Sequence, residues 1–164
     1  MGLSNPRLPT IVMLKEETQA FFRRHWNPDH TGHPAPTWDG CWRFVGTIPN
    51  HGKQGCYALI SNERVIYIGV GAGQVGGRYE GMGLGARLMK YLRMVNPGRS
   101  FGEREYNPVP KWKTRGVDSI LTLGFPSGYG YLAYSLEAYL IARLSPEYNR
   151  AKPGASKALR TNPA

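Results

Sequence analysis

The clearest hydrophobic pattern in the chain is a pair of short β-compatible runs separated by turn chemistry. Cys56-Tyr57-Ala58-Leu59-Ile60 and Arg64-Val65-Ile66-Tyr67-Ile68 flank Ser61-Asn62-Glu63, in which Asn62 suits a left-handed backbone. This predicts a hairpin. A loop centred on residue 62 pairs Ile60 with Arg64 and sets Tyr57 opposite Tyr67, with Cβ atoms roughly 5 Å apart. Leu59 and Val65 then share the tyrosine face. Cys56, Ala58, Ile60, Ile66 and Ile68 make the other, more apolar face, which is the expected core side.

The remaining periodic segments read as helices and single strands. Residues 1–13 read as an extended lead-in and residues 14–26 as a helix. Phe21 and Phe22 form its apolar edge, Arg23-Arg24-His25 its C-terminal turn, and Asn27-Pro28 its stop. Residues 27–40 read as loop and 41–45 as a strand. In residues 84–94, Leu84, Leu88, Tyr91 and Leu92 make a helical stripe, with Arg87 and Tyr91 projecting together. Residues 120–125 read as a strand. Residues 131–144 carry the strongest helical signal, with Leu132, Leu136, Leu140 and Leu144 in register. Glu137 flanks that stripe, where a carboxylate is either a snorkelling boundary residue or one held for metal binding.

Composition adds a charge argument. The 164 residues carry 21 Lys and Arg against 11 Asp and Glu, a net charge of +10, which favours an anionic partner, most commonly nucleic acid. In residues 95–116, Arg99, Arg104, Lys111, Lys113 and Arg115 are interleaved with Phe101, Tyr106 and Trp112. Phosphate-binding cations among base-stacking aromatics have this composition, and so does a solvated loop. Two cysteines imply no disulfide framework, and no apolar run approaches the roughly 20 residues of a membrane span. With no secretory signal pattern at the N-terminus, the expected compartment is the cytoplasm.

Two other motifs carry less. His25, His30, His33 and Cys41 lack paired metal-ligand spacing and read as ordinary loop residues. Gly71-Ala72-Gly73-Gln74-Val75-Gly76 fits a dinucleotide fingerprint, but glycines continue through residue 85 and no acidic residue follows at the ribose-binding distance. That segment reads instead as a loop carrying Arg78 toward a backbone or phosphate.

Taken in order, these residues resemble the GIY-YIG nuclease superfamily. Gly55-Cys56-Tyr57 stands for its first signature, with Cys where Ile or Val is usual, and Tyr67-Ile68-Gly69 for its second. Arg87 and Tyr91 follow, then Glu137, then Asn149 within Pro146-Glu147-Tyr148-Asn149. The resemblance implies an α/β fold of the α+β kind, with a small, mainly antiparallel three-stranded central sheet flanked by helices. It sets a catalytic domain at 53–151, after an N-terminal extension at 1–52 and before a basic flexible tail at 152–164. It also implies a metal-dependent DNA endonuclease, of restriction type, hydrolysing phosphodiester bonds. Tyr57, Tyr67, Arg87, Tyr91, Glu137 and Asn149 would be its catalytic residues, with Glu137 holding Mg²⁺ or Mn²⁺. Arg78 rivals Arg87 for the arginine role; Arg87 is preferred for its helical position and its aromatic partner one turn on. DNA contacts are expected from Arg78, Lys90, Arg93, Lys111, Lys113 and Arg115, and symmetric double-strand cleavage would favour a homodimer. The alternative is a catalytically silent nucleic-acid-binding protein on the same scaffold.

Overall fold

The computed structural model describes residues 8–73 and 83–149. Arg78 and the basic tail therefore lie outside the described residues. Helix α1 (Ile11–His25) starts earlier than the apolar stripe implied, because the Thr10 side chain caps it by accepting from the Met13 amide at 3.2 Å. The loop after it contains a single turn of helix, α2 (Pro28–Thr31), capped by Asn27. Strand β1 (Trp38–Trp42) falls short of the expected 41–45 because its two ends, Trp38 and Trp42, are what the core buries. Phe44, at φ 66°, turns the chain away. Strands β2 (Gly55–Ser61) and β3 (Arg64–Gly71) form the expected hairpin. Helix α3 (Leu84–Leu88), β4 (Leu92–Met94), β5 (Tyr106–Pro108), α4 (Pro110–Thr114), β6 (Ser119–Gly124) and α5 (Leu132–Leu144) follow, with single 3-10 turns at Phe101–Glu103 and Glu147–Asn149.

The fold is mixed α and β, with a central sheet of four strands in the order β1-β6-β2-β3, each antiparallel to its neighbour. The expected three strands become four because β1 adds to the outer edge of β6. Residues placed in an N-terminal extension thus complete the sheet, and α1 packs against α5. The β4-β5 pair is a separate two-stranded ribbon.

Both faces of the sheet are covered. Cys56, Ala58, Ile60, Ile68, Leu121 and Leu123 face α1 and α5, whose Leu14, Phe21, Phe22, Leu136 and Leu140 fill that core. The two helices are joined at their rim by the Arg143–Glu17 ion pair at 3.2 Å and by the Tyr139 hydroxyl donating to Glu17. The opposite face carries Tyr57, Leu59, Ile66 and Ile120 under Leu84, Leu88 and Trp112.

The hairpin differs from its expected register. Its turn has two residues, Asn62 and Glu63, both at positive φ (51° and 62°), so Ser61 pairs with Arg64 and Ile60 with Val65. A bulge at Ile66 then shifts the register, pairing Leu59 with Tyr67 and Tyr57 with Gly69. Tyr57 and Tyr67 are therefore diagonal neighbours on one face instead of direct partners. The extra residue also exchanges Val65 and Ile66: Val65 joins the Cys56/Ile68 core and Ile66 the tyrosine side.

Candidate active site

Tyr57 stands at the centre of the tyrosine face, on a strand flanked by β3 and β6, and its side chain is fully buried. Its partner across β3 is Gly69, and a Cβ there would overlap the Tyr57 Cζ and Oη atoms. The second signature's glycine is thus the space the first signature's tyrosine occupies. The first signature's glycine has a similar reason: a Cβ on Gly55 would overlap the Leu123 carbonyl oxygen of β6.

The Tyr57 hydroxyl lies 2.6 Å from the Tyr91 hydroxyl, and either oxygen can donate. Tyr67 sits beside both rings, 6.2 Å from Tyr57 and 6.3 Å from Tyr91 between centroids. Trp112 of α4 backs this cluster, 5.3 Å from Tyr67 and 5.8 Å from Tyr91. Tyr91 does not reach the site from a helix. Helix α3 ends at Leu88, Tyr91 lies in the following turn, and Leu92 is buried as the first residue of β4. Pairing of Leu92–Met94 with Tyr106–Pro108 overrides the helical spacing of the sequence, and the Val109 amide fixes the Tyr91 carbonyl at 2.8 Å.

Arg87, near the C-terminal end of α3, lies beside the Tyr57 hydroxyl and near Tyr91 and Tyr67. Burial works against its charge, but those phenol oxygens more than offset it, and the guanidinium pKa is raised. Its Nε is buried with no hydrogen-bond partner among the described residues. Glu137, half-buried on α5, is close enough to Tyr67 to oppose its ionisation. Asn149 clamps the strand that carries Tyr67: its Oδ1 accepts from the Ile68 amide and its Nδ2 donates to the Ile68 carbonyl, each at 2.8 Å. No protein-family model, curated protein or solved structure matches this chain.

The basic residues divide. Lys90 lines a cavity of about 190 Å³ with Arg87, Tyr134 and the backbone of Gly71 to Gly73. Arg93 and Lys113 line a second hollow, between the β4-β5 ribbon and α4. Arg115 is held between aromatic rings, 3.9 Å from the Tyr148 centroid and 4.6 Å from Trp112, with Lys111 5.5 Å from Trp112. Trp112 and Tyr106, read from sequence as base-stacking candidates, are both buried, Trp112 behind Tyr67 and Tyr91 and Tyr106 against Trp42; Phe101 is exposed. The hydrophobic pattern does not single out Tyr134, one turn before Glu137 on α5, whose hydroxyl donates to the Ala72 carbonyl at 2.6 Å. The available signal was its spacing from Glu137 on the same helix face.

Burial, then Tyr91, pushes the Tyr67 phenol up to about 12. Burial and Tyr91 push Tyr57 higher still, with Arg87 only partly opposing them. A tyrosine in the unfolded chain ionises near pH 10. The folded state therefore keeps protons that the unfolded state releases, and stability is complete below about pH 10 and lost as pH rises through about 12. The urea midpoint should fall between pH 8.5 and pH 11, and less steeply in Tyr67→Phe. Equal midpoints at both pH values would contradict this account of the phenols.

Among the described residues, no group of three or more His, Cys, Asp or Glu gathers to hold a metal. A divalent cation at this site would rest on Glu137 as its protein carboxylate. That donor set fits Mg²⁺ or Mn²⁺, which retain waters and take phosphate oxygens as further ligands. No helix among the described residues is long and apolar enough to cross a membrane.

Proposed function

We propose that this protein is a metal-dependent DNA endonuclease of the GIY-YIG kind. The observation that carries the reading is the convergence of Tyr57, Tyr67, Arg87 and Tyr91, drawn from β2, β3, α3 and the turn after it, around the 2.6 Å contact of two tyrosine hydroxyls. A structural aromatic cluster needs neither a guanidinium beside its hydroxyls nor a carboxylate at its edge.

In this reading Arg87 holds non-bridging oxygens of the scissile phosphate through its guanidinium, beside the Tyr57 hydroxyl. Glu137 would hold a divalent cation such as Mg²⁺, which would supply charge neutralisation at the phosphate and the leaving 3′-oxygen. Tyr57 has two conceivable tasks, orienting the attacking water or deprotonating it. Its raised pKa favours the first: a neutral phenol can accept a hydrogen from water at Oη while it shares a proton with Tyr91. Tyr67 packs beside this pair, and Asn149 fixes its strand. The water oxygen forms its bond to phosphorus as the bond to the 3′-oxygen breaks; the proton that the water loses passes to solvent, and the 3′-oxygen takes one from solvent and leaves as a hydroxyl.

The test is conversion of a supercoiled plasmid to nicked and linear forms. Conversion with Mg²⁺ or Mn²⁺, stopped by a chelator, is the expected result. Salt-sensitive DNA binding with no conversion under either metal would replace this reading with that of a silent DNA-binding protein.

A further inference from the structure

On the other side of α3 from β3 lies a cavity of about 320 Å³ that the nuclease reading leaves without a task. Its wall is apolar, built by Ile48, Met89, Met94 and Tyr106, and its size is at the lower end for small-ligand pockets. Its mouth is formed by Phe101, His51 and Arg104. Phe101 is 53% exposed, although a phenyl ring in a monomeric surface is normally turned inward. The Arg104 guanidinium lies 4.9 Å from the Phe101 centroid, and the His51 ring lies 6.2 Å from it. The backbone holds these groups in place: the Gly85 amide donates to the His51 carbonyl at 2.9 Å, and the Gly46 amide to the Arg104 carbonyl at 2.8 Å. Ala86 lines both this cavity and the one containing Arg87 and Lys90. Phosphate-binding cations and an exposed ring over an apolar hollow therefore adjoin across one short helix.

We propose that this cavity receives an unpaired nucleobase, stacked on Phe101, from the strand whose phosphates lie along Arg87 and Lys90. An apolar hollow with an exposed ring and a cationic lip suits a base in a polyanionic strand; the chain's +10 charge favours that strand over an uncharged ligand. A base within an intact duplex is stacked on both sides and cannot enter unless it is extruded. The inference deepens the nuclease reading by naming its substrate class: DNA with an unpaired nucleotide, such as a single strand, a flap or a bulge.

Phe101→Ala is the test, because an exposed side chain can be removed with the core left intact. The probes are a single-stranded oligonucleotide, a duplex of the same sequence and a bulged duplex, each with 2-aminopurine at the unpaired or matching position. Wild type should bind the single-stranded and bulged probes more tightly than the duplex and quench their fluorescence. Phe101→Ala should weaken those two on the order of tenfold, abolish the quenching and leave duplex binding within about twofold. Equal affinity of variant and wild type for all three probes, or unchanged quenching in the variant, would overturn the proposal. Binding is read without metal, so its outcome is separate from plasmid cleavage. A nuclease indifferent to Phe101 defeats this inference alone, and base capture without any cleavage defeats the nuclease reading alone.

Discussion

Gly69→Ala should leave the protein both markedly less stable and inactive. The added methyl would overlap Tyr57 Cζ and Oη and come within 2.8 Å of Cε1. Tyr57 cannot yield cheaply: its side chain is fully buried and its hydroxyl is held by Tyr91. Its strand is paired on both edges. Overpacking at such a point costs about 3 kcal/mol, or about 6–12 °C in Tm for a chain of this size. Any folded fraction must displace the Tyr57 ring, and an error of about 1 Å at a reacting group can cost roughly a hundredfold in rate. Gly98→Ala is the control, since a Cβ there meets nothing within 4 Å. The double variant Gly69→Ala/Tyr57→Leu separates the two effects: with the ring removed, Tm should recover in part while cleavage does not. A Gly69→Ala protein with wild-type Tm and activity would refute the packing account of this glycine.

What could be read from the sequence about this site follows from the range of each cause. The hairpin and α5 rest on local alternation and helical spacing, so their positions could be read directly. The bulge at Ile66 has no local signature. It moves Tyr57 from opposite Tyr67 to opposite Gly69, and this pairing explains the glycine's identity. Tyr91 sits at helical spacing from Arg87, yet the chain leaves the helix at Leu88 because the ribbon with β5 buries Leu92. The tyrosine still comes to Tyr57, by tertiary pairing instead of helix geometry. Trp112 shows the same limit. In a basic segment it resembles a ligand-stacking ring, and only the packing of α4 makes it the backing of Tyr67 and Tyr91. The fourth strand depends on contacts between segments distant in sequence, with Trp38 pairing Leu123. No periodicity within residues 38–42 specifies that partner.

The second large effect concerns the arginine. Arg87→Ala should reduce plasmid cleavage by about a thousandfold, the scale on which a fixed donor to a developing phosphoryl charge acts. Arg87→Lys should recover little of it. A lysine ammonium keeps the charge but loses the planar donor set, including the Nε that the fold buries without a partner among the described residues. Arg78→Ala, in the glycine-rich segment, should stay within about tenfold of wild type, since Arg87 already supplies a guanidinium beside the Tyr57 hydroxyl. Charge at Arg87 also acts on the phenols: it partly opposes the rise of the Tyr57 pKa. Glu137→Gln should fail differently. Its residual cleavage should rise with Mn²⁺ concentration, because a weakened cation site can be refilled by mass action, whereas that of Arg87→Ala should not. If Arg78→Ala proves the inactive variant and Arg87→Ala cleaves normally, the arginine role passes to the glycine-rich segment. The guanidinium beside Tyr57 would then be a packing element of the tyrosine face.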